Sequence, residues 1–195
     1  IPRPDKPGMV GDGFRVFHFI PGAGISQRRI SPFLVLDFNA ETYFPPSEKQ
    51  RGVDVHPHKG FETVTIAYKG SVAHHDSTGN SGIINPGDVQ WMTAGAGILH
   101  KEYHEKEFSK KGGAFEMVQL WVNLPKKDKS TPAHYQAITA DKMGKVQLAD
   151  NGGLVNVIAG KLNGVSGPAF TYSPINLFDI KLNGGGIFNA AIPAL

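Results

Sequence analysis

The sequence predicts an all-β domain, either a sandwich or a barrel, over most of its 195 residues. Glycine and proline are frequent, with 24 Gly and 14 Pro. They separate short apolar stretches, which is typical of strands joined by tight turns. These stretches recur at intervals of about 8–12 residues, as strands do in sandwiches and barrels. No long stretch has the apolar periodicity of an amphipathic helix.

The predicted strands follow one another along the chain, with turn signals between them. They cover residues 14–20, 33–38, 62–68, 88–92, 97–104 and 115–122. The second segment, FLVLDF, is almost continuously apolar and therefore predicts an inner strand. The third segment is rich in β-branched residues, which favour extended backbone. A turn of helix is expected only at 140–144.

Composition excludes several classes of protein. A net charge of +3 with 40% hydrophobic residues predicts a packed core and not a disordered chain. The absence of cysteine excludes disulfides, thiol catalysis and Cys-ligated metal sites. A pI near 9.1 is a weak signal, so we expect no direct DNA binding.

The sequence gives no sign of a membrane or secretory address. No apolar run reaches 18 residues, and we therefore expect no contact with a membrane. The opening residues, Ile1-Pro2-Arg3-Pro4, lack an initiator Met and the apolar run of a signal peptide, so the chain is expected to be processed or trimmed. We expect a cytoplasmic protein, or a nuclear one in a eukaryote.

Two short histidine motifs predict a metal site. His56 and His58 are two residues apart, a spacing that places both side chains on one face of a strand. His100 and Glu102 repeat this spacing after a glycine-rich turn. If the two strands line one barrel interior, three imidazoles and a carboxylate converge. Nitrogen and oxygen donors without sulfur suit iron(II), with manganese, nickel, copper and zinc as alternatives.

Other polar residues near these motifs leave alternatives open. Glu62 follows His58 by four residues, so by strand parity it competes with Glu102 as the carboxylate ligand. His104 shares the parity of His100 but lies about 7 Å from Glu102 along the strand, which predicts a supporting place behind the ligands or at the rim. The pair His74-His75 is interpreted as an exposed hairpin rim, and the remaining two histidines, His18 and His134, as structural.

Three segments resemble the pirin family of the cupin superfamily. Residues 56–64 (HPHKGFETV) are similar to its first metal motif, and residues 85–100 (NPGDVQWMTAGAGILH) to its second. Residues 119–125 (QLWVNLP) resemble its closing strand, so that the similarity extends over most of residues 13–182. The chain has Lys59 where many relatives have arginine.

The resemblance implies a bicupin, built of two double-stranded β-helix (jelly-roll) barrels, with a metal in the first. Carried onto this sequence, the ligands are His56, His58, His100 and Glu102, and the metal is most often Fe²⁺. Residues 1–135 are then the metal-binding cupin domain. Residues 136–195 are a connecting segment and the first strands of a second, incomplete barrel. An internal echo agrees, because Ser31-Pro32 and Asp37 recur with the same spacing as Ser173-Pro174 and Asp179.

The resemblance implies two functions of different classes. One is a quercetin 2,3-dioxygenase, which opens a flavonol ring with O₂ and releases CO; Glu102 or Glu62 would accept the flavonol proton. The substrate pocket would be lined by Phe17, Phe33, Trp91, Met92, Phe115 and Leu120. The other is an iron-dependent regulator that binds transcription factors or metabolic enzymes. Its partner surfaces would be the charged segments 101–111 and 126–129, which otherwise are solvated faces.

Overall fold

The computed structural model describes Pro2, residues 4–22 and residues 24–191. The chain divides into two compact units, Ile1–Thr139 and Ala140–Leu195. The all-β prediction is confirmed, because the described residues form sixteen strands, two short α-helices and two 3-10 turns.

The first unit contains eleven of the described strands and both α-helices. The helices are α1 (Gln27–Ile30) and α2 (Lys106–Lys111), and a 3-10 turn spans Lys126–Asp128. The strands are β1 (Gly8–Val10), β2 (Phe14–Ile20), β3 (Phe33–Phe44), β4 (Gly52–His58), β5 (Phe61–Lys69), β6 (Val72–Asp76), β7 (Ser81–Ile84), β8 (Val89–Thr93), β9 (Ile98–His104), β10 (Gly113–Asn123) and β11 (His134–Ile138).

These strands form two antiparallel sheets that pack face to face. One has the order β1-β2-β3-β10-β5-β8-β11, and the other the order β4-β9-β6-β7. Side chains meet between them: Gln119 on β10 donates to Glu102 on β9 over 3.1 Å. The candidate site lies between these two inner faces.

Alternation along β9 determines which of its side chains enter this space. His100, Glu102 and His104 are buried, whereas Lys101 and Tyr103 between them are only partly buried. The neighbouring β4 pairs only with β9 and is therefore an edge strand. An edge strand tolerates Pro57, which has no N–H to donate to a ladder.

Apolar side chains fill the space between the two sheets near the His104 end of β9. A buried cluster there consists of Phe14, Val16, Ala67, Val72, Ile84, Phe115 and Met117. Because β-sandwich cores are formed by the inward residues of both sheets, this cluster holds the sheets together at that side of the site.

The second unit carries five of the described strands and a 3-10 turn at Ala149–Asn151. Its strands are β12 (Gly144–Gln147), β13 (Gly153–Ala159), β14 (Lys161–Leu162), β15 (Val165–Ser166) and β16 (Leu177–Leu182). The order β12-β13-β16 forms one antiparallel sheet and β14-β15 a short second one. A small apolar cluster centres on Val155, Val157 and Leu162.

The predicted strands are present, with differences in extent. Segment 33–38 is the first half of the twelve-residue strand β3. The helical turn expected at 140–144 is wrong: the chain forms a non-helical turn there and enters β12 at Gly144. Among the described residues, no helix has the length and apolar character needed to span a membrane.

Candidate metal centre

The two histidine motifs lie side by side because β4 and β9 are paired. His56 is directly opposite His100 in the register of these strands. The ring centroids of His56 and His58 are 4.7 Å apart. The ring centroid of His100 lies 5.3 Å from that of His56 and 5.5 Å from that of His58. One ring nitrogen from each of the three lies within 4.8 Å of the others, an arrangement that could hold a metal ion.

Glu102 adds an oxygen to this group of nitrogens. Its Oε2 lies 3.3 Å from Nε2 of His100. Burial alone would raise the pKa of the Glu102 carboxyl, but the neighbouring His100 and the amide of Gln119 lower it to about 2. The carboxylate is therefore ionised at neutral pH and supplies a negative charge in a buried place.

His58 is held in the neutral form, which is the form that binds metals. Burial, together with the imidazoles of His56 and His100, lowers the pKa of His58 to about 4. The Nδ1 atom of His56 contacts the carbonyl oxygen of Asp54 at 2.7 Å, which fixes the ring and directs Nε2 towards the other imidazoles.

Several buried nitrogens at the site have no hydrogen-bond partner within the described part of the chain. They are Nδ1 of His58 and Nδ1 of His100, while Nε2 of His100 has only the 3.3 Å approach of Glu102. Unpaired buried polar atoms are costly unless something satisfies them. Three imidazoles beside one carboxylate match the donor set of a divalent first-row metal, so the residues fit such an ion.

Gln119 holds the carboxylate in place from the opposite sheet. Its Nε2 lies 3.1 Å from each oxygen of Glu102, and Thr65 donates to Oε1 at a longer 3.4 Å. The amide is itself oriented, because Trp121 donates from its indole nitrogen to Oε1 of Gln119 over 3.1 Å. Such outer contacts orient a metal-binding carboxylate.

The parity argument for Glu62 is wrong. The chain turns at Lys59-Gly60 and passes from β4 to β5 in the other sheet, so alternation does not continue across the turn. Glu62 and Thr65 are three residues apart on β5, so their side chains lie on opposite faces of the sheet. On its own face, Glu62 accepts a hydrogen bond from Thr93 over 2.7 Å. Burial raises the pKa of Glu62, and the Thr93 bond offsets this only in part. Glu62 is therefore not placed to accept a proton beside the candidate metal ligands.

His104 has a different place from the one expected. It is fully buried, and its ring packs among Phe14, Phe44, Phe108 and Phe115 at centroid distances of 4.6–5.9 Å. Its Nε2 contacts the carbonyl oxygen of Gly13 at 2.9 Å. His104 therefore belongs to the apolar cluster and lies neither at the rim nor against the candidate ligands.

His74 is a histidine of the site that sequence reasoning missed. It was interpreted as an exposed rim residue, but it is 3% exposed and lies opposite Glu102 in the register of β6 and β9. Its ring centroid is 6.1 Å from that of His100 and 4.8 Å from that of Tyr135. Burial and the nearby His100 lower its pKa to about 4. Only His75 of the pair is exposed, as alternation within β6 requires.

A cavity of about 450 Å³ adjoins the site, and His56 and Glu102 form part of its wall. Apolar side chains line most of it, including Val16, Val35 and Trp121. None of the residues predicted to line a substrate pocket, Phe17, Phe33, Trp91, Met92, Phe115 and Leu120, is among the described residues that line this cavity.

Strand alternation accounts for two of these six residues. Phe17 and Leu120 are neighbours of lining residues on their own strands and face the other way. Phe115 packs in the apolar cluster with His104. Met92 packs with Ala94 and Ile98 in a cluster of its own.

Comparisons with known proteins agree with the fold and the motifs. The family model described as Pirin matches residues 13–122. A Pseudomonas aeruginosa protein named "Putative quercetin 2,3-dioxygenase" is 52% identical over 176 residues, covering 90% of this chain and 61% of that protein. Pirin-like protein 2 of Arabidopsis thaliana is 38% identical over 167 residues, covering 86% of this chain and 48% of that protein.

A solved structure is similar at the level of the backbone. The crystal structure titled quercetin 2,3-dioxygenase from Acinetobacter baumannii is 50% identical, with a TM-score of 0.88. The match covers 91% of this chain and 62% of that one. The chain thus spans between about half and two thirds of the length of these relatives. Since the family model covers more than half of the sequence, the chain has a cupin fold and belongs to the pirin family.

Proposed function

We propose that the chain carries the metal site of a flavonol 2,3-dioxygenase, which opens the central ring of quercetin with O₂ and releases CO. One observation carries this proposal: three imidazoles and one ionised carboxylate lie together, and two of these residues, His56 and Glu102, line a largely apolar cavity of about 450 Å³. A cavity of this size and lining suits a flat aromatic ligand. Relatives named for this activity support the choice of substrate.

In this proposal His56, His58, His100 and Glu102 hold a divalent metal, most often Fe²⁺, with Mn, Ni, Cu and Zn as alternatives. When bound, the metal lowers the pKa of the flavonol hydroxyl and polarises the neighbouring carbonyl. Regulation through a protein partner is the alternative function, and it shares the same metal site.

The side chains of this chain supply orientation and proton transfer. A carboxylate oxygen of Glu102 accepts the proton of the flavonol hydroxyl and returns it to the carboxylate of the ring-opened product, which becomes the acid. Flavonol and O₂ thus give the product acid and CO with no net loss of protons. Gln119 keeps Glu102 in position through its two 3.1 Å contacts. Val35 and Trp121 in the cavity wall shield the reacting ring from water.

The test is turnover by protein loaded with each candidate metal. We expect Fe²⁺-loaded protein to consume quercetin and O₂ in equal amounts and to release CO. His56→Ala should abolish this, because it removes one of three nitrogens. His75→Ala is the matched control, since His75 lies on the outer face of the same sheet and should leave turnover unchanged.

Two results would contradict the proposal. Turnover that survives in His56→Ala would remove the metal from the mechanism. If the protein binds one metal ion per chain but consumes no quercetin with any of the five metals, the regulatory function would be favoured.

A further inference from the structure

The cavity has a second polar group, distant from the candidate ligands. His18 on β2 and Asp37 on β3 are cross-strand partners, and Nδ1 of His18 lies 2.7 Å from Oδ1 of Asp37. Both residues line the same cavity as His56 and Glu102. Sequence reasoning interpreted His18 as structural, because nothing near it in the sequence has the spacing of a site.

Strand register places this pair in line with the metal site. Asp37 is opposite Gln119, and Gln119 is opposite Thr65, so that a polar row crosses adjacent strands β2, β3, β10 and β5. Gln119 in turn contacts Glu102. Because neighbouring strands are about 4.8 Å apart, Asp37 is roughly 5 Å and His18 roughly 10 Å from Gln119 across the sheet. A ligand of two or three rings spans that distance.

The pair retains atoms that can bind a ligand. Among the described residues no donor contacts Oδ2 of Asp37, whose side chain is 14% exposed. Nδ1 of His18 contacts that carboxylate while its Nε2 makes no hydrogen bond within the described chain, and the side chain is 48% exposed at the cavity mouth. Burial raises the pKa of Asp37, and the contact with His18 opposes this rise.

We infer that His18 and Asp37 bind an aromatic hydroxyl at the end of the substrate remote from Glu102, and thereby select hydroxylated flavonols. This inference rests on the proposed function and adds its second anchor. A phenol donates well to a carboxylate, because hydrogen bonds to an ionised acceptor are short and strong. In a mostly apolar cavity, a few placed polar groups set orientation and specificity.

The test compares two flavonols that share the reacting ring. Quercetin carries hydroxyls on its outer rings, whereas 3-hydroxyflavone has none. We expect metal-loaded wild type to bind quercetin about tenfold more tightly in calorimetry, since a site built for a hydroxyl discriminates against the analogue without it. The ratio of the two dissociation constants should fall to near one in Asp37→Asn and should fall in part in His18→Gln.

Val35→Ala is the matched control. Val35 lies two residues from Asp37 on the same face of β3 and lines the same cavity. It should weaken both flavonols alike and leave the ratio unchanged. If Asp37→Asn fails to fold, His18→Gln still tests the inference. Because His18 is half exposed, its replacement is expected to leave the fold intact.

The outcomes separate this inference from the proposed function. A wild type that consumes quercetin but binds both flavonols with equal affinity, or a binding preference that survives in both variants, overturns the inference and leaves the function standing. A preference in binding that the variants abolish, in a protein that consumes no flavonol, supports the anchor and overturns the function. A wild type that binds neither flavonol overturns both.

Discussion

At the scale of single residues, two buried glutamates differ in what surrounds them. Glu102 lies beside His100 and Gln119, and its pKa is lowered to about 2. Glu62 is bonded to Thr93 on the other face of the sheet, and burial raises its pKa. A cation is attracted to the carboxylate that is already ionised and close to several imidazoles. We therefore assign the ligand oxygen to Glu102.

This assignment predicts opposite results for two conservative variants. Glu102→Gln should lower Fe²⁺ affinity by at least about tenfold, because the ligand charge is lost. Glu62→Gln should leave the affinity unchanged, since its amide can still accept from Thr93 and lies away from the imidazoles. Competition with a fluorescent chelator measures both. Equal losses in the two variants would contradict the assignment.

Sequence alone could predict that the candidate ligands share a strand face in pairs, because alternation within one strand is a local property. His56 with His58, and His100 with Glu102, follow from a period of two. The same rule failed for Glu62, where a turn resets parity. The same alternation predicts that one of the neighbours His74 and His75 faces inwards, so the expectation that both are exposed conflicts with it. The His18–Asp37 contact depends on pairing between β2 and β3, which no local pattern reveals.

At the scale of elements, the turn before β9 positions His100 and Glu102. Gly95 has φ +48°, and its carbonyl oxygen accepts from the N–H of Gly60 over 2.8 Å. A Cβ at Gly95 would lie 2.0 Å from the carbonyl oxygen of Thr131. Three segments of chain therefore meet at this glycine, and no larger residue fits.

Gly95→Ala should consequently destabilise the protein by about 3 kcal/mol, from backbone strain and steric overlap together. Gly79→Ala is the matched control, because Gly79 has φ +88° but nothing within 4 Å of the added carbon. It should show only the backbone effect of about 1 kcal/mol. Urea unfolding of metal-free protein compares the two. Similar free energies of unfolding in both variants would show that Thr131 moves aside freely.

The strands could be predicted from the sequence, but their order within the sheets could not. Segments such as 14–20 and 115–122 are recognisable from local apolar and β-branched content. The cavity wall depends instead on β10 lying between β3 and β5, a long-range arrangement. Apolar character alone does not show which face of a strand each of the six predicted pocket residues occupies.

At the scale of the whole molecule, all four candidate ligands lie within the first compact unit. The predicted domain boundary at 135/136, and the interpretation of the second unit as part of another barrel, stay predictions. The relatives extend beyond the matched region. Activity, substrate and partners of the family are accordingly proposed for this chain through its site.

Buried histidines predict how the metal-free protein responds to acid. The pKa values of His58 and His74 are lowered to about 4, chiefly by burial, from 6.5. The unfolded chain therefore takes up protons at a pH where the folded chain does not. Their contribution to stability is complete above pH 6.5 and is lost as pH falls towards 4.

Chemical denaturation across this pH range measures the effect. The free energy of unfolding of metal-free protein should decrease steadily as pH falls from 6.5 to about 4. In His74→Gln the decrease should be smaller, because one of the two groups no longer titrates. A free energy of unfolding that stays level or increases over this range would contradict burial of the two neutral imidazoles.

The central claim is that one cation binds where β4 and β9 bring their histidines together. Anomalous diffraction at the iron edge, from crystals of Fe²⁺-loaded protein, tests it most directly. We predict one strong peak at about 2.0–2.2 Å from nitrogens of His56, His58 and His100 and from an oxygen of Glu102, as for other N/O-ligated divalent ions. A peak ligated by Glu62, a peak elsewhere, or no peak at full loading would contradict the account.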